Sequence, residues 1–204
     1  LRDYRKGDPL IRIDWKATAR ARKLLVRSFD PSSSMKVIIG VSVETGEPFW
    51  RIDAPENLER VITVAASVAN YVAEIDCPFG LFSNDMTVKT KRSMKVPPSQ
   101  QREQLGEVMA ALATIPPMAS GPMSDHLAEH GPRFKSDTTL VLCTALVTAN
   151  MVSTLTSLDH TGMKIIVMYV GDGDLPLLPP RIKVHNAFKY LTEVEASERY
   201  RRTQ

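Results

Sequence analysis

Cysteine is scarce in this chain, with two thiols in 204 residues, so a disulfide-stapled scaffold is excluded. Cys77 and Cys143 each lie inside an apolar run, the setting of buried free thiols, and they point to a reducing compartment. Long apolar stretches are missing as well: no run approaches the roughly 18 residues a membrane helix needs. The basic start is not followed by an apolar stretch of signal-peptide type. There is no Gly-rich phosphate loop, no Gly-x-Ser-x-Gly elbow and no Cys-x-x-Cys pair. The usual signatures of nucleotide binding, serine hydrolysis and dithiol chemistry therefore do not occur. Ser, His and Asp are present, but no spacing links them into a triad.

What is there is an ordinary globular composition, 43% apolar and 24% charged, enough for a full core. Charge is uneven. Residues 1–27 carry nine Arg or Lys against three Asp, whereas the rest of the chain is mildly acidic, for a total of +3. A basic arm of this kind meets nucleic acid, an anionic surface or an acidic partner, or it folds against its own domain. Trp15, Leu10, Ile13, Leu24 and Leu25 give the arm apolar surface that a solvated tether does not need. The arm, residues 1–34, is therefore expected to pack onto the domain that follows, with Trp15 buried, and nucleic acid is not expected as a partner. The chain opens abruptly on Leu1 and reads as a fragment of a longer one.

Residues 35–204 alternate between buried-strand and helix patterns. Lys23–Phe29 reads as a first strand, broken by Asp30-Pro31 and the serines after it. Lys36–Val43 is nearly continuous and β-branched, as in a strand covered on both faces. Leu58, Val61, Ile62, Ala65, Val68, Ala69, Val72 and Ile75 then form one helical stripe, with Pro55 in the first turn and Asp53/Glu56 as a capping box. Cys77–Phe82 is the next strand, and Ser83-Asn84-Asp85 turns into an antiparallel edge hairpin over Met86–Thr90. Pro97-Pro98-Ser99 opens a helix bearing Leu105, Val108, Met109 and Leu112, and a short helix over Met123–His130 stops at Gly131-Pro132. Strands follow at Thr138–Thr144, Met163–Val170 and about Ile182–Val184, with a helix between the first two. This is a doubly wound α/β pattern: a mostly parallel sheet with helices on both faces. Ligands of such folds bind beyond the carboxyl ends of the strands, which directs attention to the loops after Val43, Thr144 and Val170.

The opening Tyr4-Arg-Lys-Gly7-Asp8-Pro9-Leu10, with Ile13-Asp14-Trp15-Lys16-Ala17-Thr18-Ala19-Arg20 and Leu25-Val26-Arg27-Ser28-Phe29, resembles the signature of the bacterial family called domain of unknown function 58. It departs at Ile11, where a second basic residue is expected. The resemblance implies a von Willebrand factor A-like domain in a membrane-anchored parent at the cytoplasmic side of the bacterial inner membrane. It implies an adaptor or scaffold, not an enzyme, acting with a MoxR-type AAA ATPase or another von Willebrand A-type protein. Gly7, Asp8, Asp14, Trp15, Lys16 and Arg20 are then a structural brace.

Domains of von Willebrand A type often hold magnesium through an Asp-x-Ser-x-Ser loop, a Thr and an Asp. Here the first loop reads Ser42-Val-Glu44-Thr45-Gly46, the third reads Cys143-Thr144-Ala145, and Ser124 stands in the middle loop. Glu44 alone is a carboxylate, and magnesium is a hard cation that favours such oxygens, so no metal and no cofactor are expected. Ser42, Glu44, Thr45, Phe49, Trp50, Ser124 and Thr144 are instead candidates for contact with a partner, the two aromatics as anchors. Two rival features remain. His126-Leu-Ala-Glu129-His130 matches the H-x-x-E-H pattern of inverted zincins and carries the alternative of a metal-dependent hydrolase. Asp172 and Asp174, too few for a calcium loop, read as a solvated turn.

Overall fold

The structure, a computed structural model, describes residues 2–4, 13–26, 35–86, 93–134 and 137–193. Residues 1–34 and 35–204 form two compact units.

In the first unit, β1 (Arg2–Asp3) pairs antiparallel with β2 (Leu25–Val26), and α1 (Trp15–Ala21) lies between them in sequence. Asp14 is its N-cap, its carboxylate accepting from Ala17 N at 3.0 Å, and the Thr18 hydroxyl accepts from Leu25 N at 3.0 Å. Among the described residues of this unit, Ile13 and Val26 are buried. Trp15, expected to be buried, is 66% exposed. The reason is local: capping by Asp14 makes Trp15 the first residue of a helix that buries none of its side chains. Lys16 and Arg20 are exposed on the same helix. Of the signature, Asp14 thus has an evident structural role; Gly7 and Asp8 lie outside the described residues, as do Leu10 and the last three residues, Arg27–Phe29, of the strand expected over Lys23–Phe29.

The second unit runs β3 (Lys36–Val41), α2 (Pro55–Glu74), β4 (Phe79–Ser83), β5 (Met94–Ser99), α3 (Gln104–Ala113), α4 (Met123–His130), β6 (Thr138–Thr144), α5 (Ala149–His160), β7 (Lys164–Tyr169) and β8 (Lys183–Asn186). The sheet has the order β5-β4-β3-β6-β7-β8, parallel except for β5. This is the doubly wound, mostly parallel α/β class read from the sequence. Side chains alternate across it, as the pleat requires. Val37, Ile39 and Val41 of β3 face a core built with α2 and α3, while Ile38 faces a second core built with α4 and α5. On β6, Val141 and Cys143 join the first core and Leu140 and Leu142 the second.

Two local expectations are corrected. Asp53 does not cap α2: the N-cap is Ala54, with no side-chain bond, because Pro55 is already the first helical residue. Asp53 turns back into the preceding loop, pairs with Arg51 and lies so close to Gly46 that a Cβ there would collide with it. Among the described residues the antiparallel edge strand is β5 over Met94–Ser99; of the hairpin expected over Met86–Thr90, only Met86 is described. Met86 lies outside any strand, and residues 87–90 are outside the described ones. Pro97 and Pro98, read as a helix opening, are therefore strand residues. An edge tolerates proline because one side of the strand needs no partner. Gly80 lets the prolines approach, since a Cβ there would sit 2.5 Å from Val96 O. The irregular pairing frees two carbonyls, and the buried amide of Gln104 takes both, Phe79 O at 2.5 Å and Pro97 O at 2.9 Å.

Candidate functional site

At the carboxyl edge of the sheet, β3 runs into Ser42-Val43-Glu44 and β4 into Asn84-Asp85, and both chains stay buried. Glu44, 4% exposed, is the centre of this edge. Its Oε1 accepts from Asn84 Nδ2 at 3.0 Å, from the Met123 backbone N–H at the start of α4, and more weakly from Ser42 Oγ at 3.5 Å. Asn84 completes the bracket. Its Oδ1 accepts from Val43 N at 3.0 Å, its Nδ2 also donates to Gly121 O at 2.9 Å, and its carbonyl accepts from Ser120 N. Three chain segments are thus tied by two side chains. Burial pushes the Glu44 carboxyl above the ordinary glutamate value, against the pull of its hydrogen bonds to Met123, Ser42 and Asn84.

The other expected residues divide into two groups. Ser124 is buried, with its hydroxyl donating to Asp125 at 3.3 Å, and the Thr144 hydroxyl closes a turn by donating to Leu146 O at 2.7 Å. Neither hydroxyl is directed at Glu44. The Thr45 hydroxyl is buried without a hydrogen-bond partner among the described residues. Phe49 packs on the first core, while Trp50 stands edge-on to it at 4.9 Å and is 66% exposed. Ile52, Met86 and Met118 are exposed on the loops of this edge as well, and the Met86 N–H donates to Met118 O at 2.7 Å. Asn84, Met86 and Met118 were not singled out from the sequence. A polar Ser-Asn-Asp run directly after a buried parallel strand was the available signal for Asn84.

The edge does not fit magnesium. Its one expected carboxylate spends an oxygen on three donors, and the Thr144 hydroxyl is committed to its own turn. Among the described residues no group of three His, Cys, Asp or Glu is placed to hold a metal ion. Calorimetric titration with magnesium or manganese is expected to give dilution heats only; a one-to-one isotherm at micromolar affinity would sink this reading.

The zincin pattern does fall on a helix, α4, and His126, Glu129 and His130 line a cavity of about 520 Å³ together with Phe82, Met94 and Phe134. Its chemistry is otherwise directed. Both His126 ring nitrogens meet hydroxyls, Nδ1 with Ser93 Oγ at 2.7 Å and Nε2 with Ser120 Oγ at 3.2 Å. Burial, then the neighbouring His130, lowers the His126 pKa. His130 instead meets Phe82 edge-on at 5.8 Å and lies 3.8 Å from Glu129. Asp172 and Asp174 are exposed, as a solvated turn requires.

A family model described as protein of unknown function DUF58 matches residues 1–195. The uncharacterized protein YeaD of Bacillus subtilis (strain 168) is 29% identical over 83 residues, 41% of this chain and 19% of that protein. The chain thus matches about a fifth of that relative's length. Among solved structures, manganese-loaded TRAP protein of Plasmodium vivax is similar at a TM-score of 0.46 and 13% identity, over 79% of this chain and 71% of that one. RSP, a Rex-family repressor, is similar at a TM-score of 0.31 and 14% identity, over 84% of this chain and 61% of that one.

Proposed function

Because the chain belongs to the DUF58 family, whose function is unknown, we propose its role from its own surface: a non-enzymatic protein-interaction module, an adaptor or scaffold. The observation that carries this is the carboxyl edge itself. Glu44 and Asn84 are turned inward onto each other and the neighbouring backbone, while Trp50, Ile52, Met86 and Met118 are exposed. An edge whose central Glu44 and Asn84 are committed to its own loops, and which exposes Trp and Met, is suited to anchor in a partner's pocket. The reading takes as partner a MoxR-type AAA ATPase or another von Willebrand A-type protein. It places the domain in a bacterial parent anchored in the inner membrane, on the cytoplasmic side. No helix among the described residues is long and apolar enough to cross a membrane, so an anchor would be supplied by other parts of the parent.

The test is direct titration. In a Trp15→Phe background, Trp50 fluorescence reports on binding of a purified MoxR-type ATPase from the same organism. Saturation with a Kd of about 10 µM or tighter is expected, weakened at least about tenfold, roughly 1.4 kcal/mol, by Trp50→Ala or Met118→Asp. Binding that both variants leave unchanged overturns the proposed surface, and no binding overturns the proposed partner.

A further inference from the structure

Between β7 and β8, two parallel strands, the chain must cross a face of the sheet, a task usually given to a helix. Residues 174–179 make this crossing as neither helix nor strand. The run Leu175-Pro176-Leu177-Leu178-Pro179-Pro180 dictates it. Each proline fixes its own φ and removes an N–H, and each residue ahead of a proline is held out of the helical region. Leu177 alone escapes both restraints, so polyproline II, with three residues per turn, is the form this strap favours. Side-chain exposure follows that repeat. Leu175 and Leu178 pack on the core under α4 and α5. Pro176 and Pro179 are half-buried and Pro180 is exposed. Leu177 is 96% exposed, more than any other large apolar side chain among the described residues. The strap is pinned at both ends: the Tyr169 hydroxyl donates to Gly173 O at 3.0 Å, and the Ile182 N–H donates to Pro179 O at 2.9 Å.

We propose that this strap is a docking element for a partner domain with an aromatic-lined groove of the kind that takes polyproline II segments. With Leu175 and Leu178 turned inward, the two remaining edges of the strap, Pro176/Pro179 and Leu177/Pro180, are the ones offered to a groove. They form two apolar dipeptides, Pro176-Leu177 and Pro179-Pro180, spaced by one turn. The conformation is set before binding, by the prolines and by the packing beneath, so little ordering entropy is lost on docking. Charge gives the strap a direction. Asp172 and Asp174 are exposed ahead of it and Arg181 behind it, which suits a groove with a basic side chain at one end and a carboxylate at the other. The strap does not include Trp50, and the proposal does not depend on the partner surface there.

Amide-resolved NMR titration of the labelled chain tests this, with a purified SH3 domain, WW domain and EVH1 domain as probes. At least one is expected to give saturable shifts at the Leu177 and Leu178 amides, with a Kd of about 500 µM or tighter. Leu177→Asp alters a side chain with almost no packing to lose. It is expected to weaken that binding at least about tenfold without lowering Tm. Pro176→Ala combined with Pro179→Ala keeps Leu177 but frees the backbone, and is expected to weaken binding by about fivefold or more. The proposal is overturned by the absence of saturable shifts with all three domains at about 1 mM, or by binding that Leu177→Asp leaves unchanged. It is overturned as well by shifts at these amides on concentrating the chain alone, which would make a second copy the occupant.

Discussion

Glu44→Ala should lower stability by about 2–4 kcal/mol, because it strips the acceptor from the buried Met123 N–H and Asn84 Nδ2 together. Glu44→Gln keeps a carbonyl oxygen at that point and is expected to cost less than about 1 kcal/mol. The two variants also differ from the native chain in their response to pH. Because burial raises the Glu44 pKa, the folded chain holds this proton more tightly than the unfolded one does. The resulting stabilisation is complete below the unfolded value and is lost as pH rises through the raised one. Glu44→Gln has no proton to lose and should be flatter across that window. Urea unfolding of the three proteins in mild acid and at neutral pH measures both effects. Equal stability of the Ala and Gln variants would show that Glu44 is not the tie between these loops.

The second large effect is expected at Asp85 and Lys95. Their side chains are 0% and 10% exposed and meet at 2.8 Å, joining the end of β4 to β5. Removing one partner of a buried pair strands the other charge, so Asp85→Ala should cost about 3–5 kcal/mol. Asp85→Leu combined with Lys95→Met removes both charges and should cost clearly less than Asp85→Ala, since well-packed apolar replacements of buried pairs are often near neutral. Denaturant midpoints for the single and double variants decide it; a double variant as damaged as the single one would place the cost in packing rather than in stranded charge.

The strands of the parallel sheet were legible because their covering is physical: a strand covered on both faces is apolar through its middle, as Leu140–Cys143 within Thr138–Thr144 and Val37–Val41 within Lys36–Val41 are. The helix Met123–His130 was legible from its stop signal, Gly131-Pro132. What failed rested on contacts distant in sequence. Pro97-Pro98 looks like a helix opening until Gly80 and Gln104, one on the neighbouring strand and one on the next helix, supply the room and the hydrogen bonds for a proline-bearing edge. Asp53 fits a capping box by spacing alone, and only the close approach to Gly46 directs it elsewhere. Glu44 was singled out as the one carboxylate of its loop and as a candidate partner contact, whereas its own partners, Asn84 and Met123, lie 40 and 79 residues away, beyond the reach of any local pattern.

The alternation of side chains across β3 and β6 makes the sheet a partition. Val108 and Leu112 on α3 never share a neighbourhood with Leu155 and Leu158 on α5, since each pair belongs to a different core. Substitutions that far apart and without common partners act additively. The layer under α2 and α3 can therefore drift in sequence, loosening and repairing itself, while the layer under α4 and α5 stays as it was. What the two layers must agree on is the backbone between them, and the residues least free to change are those that hold that backbone flat against both sides.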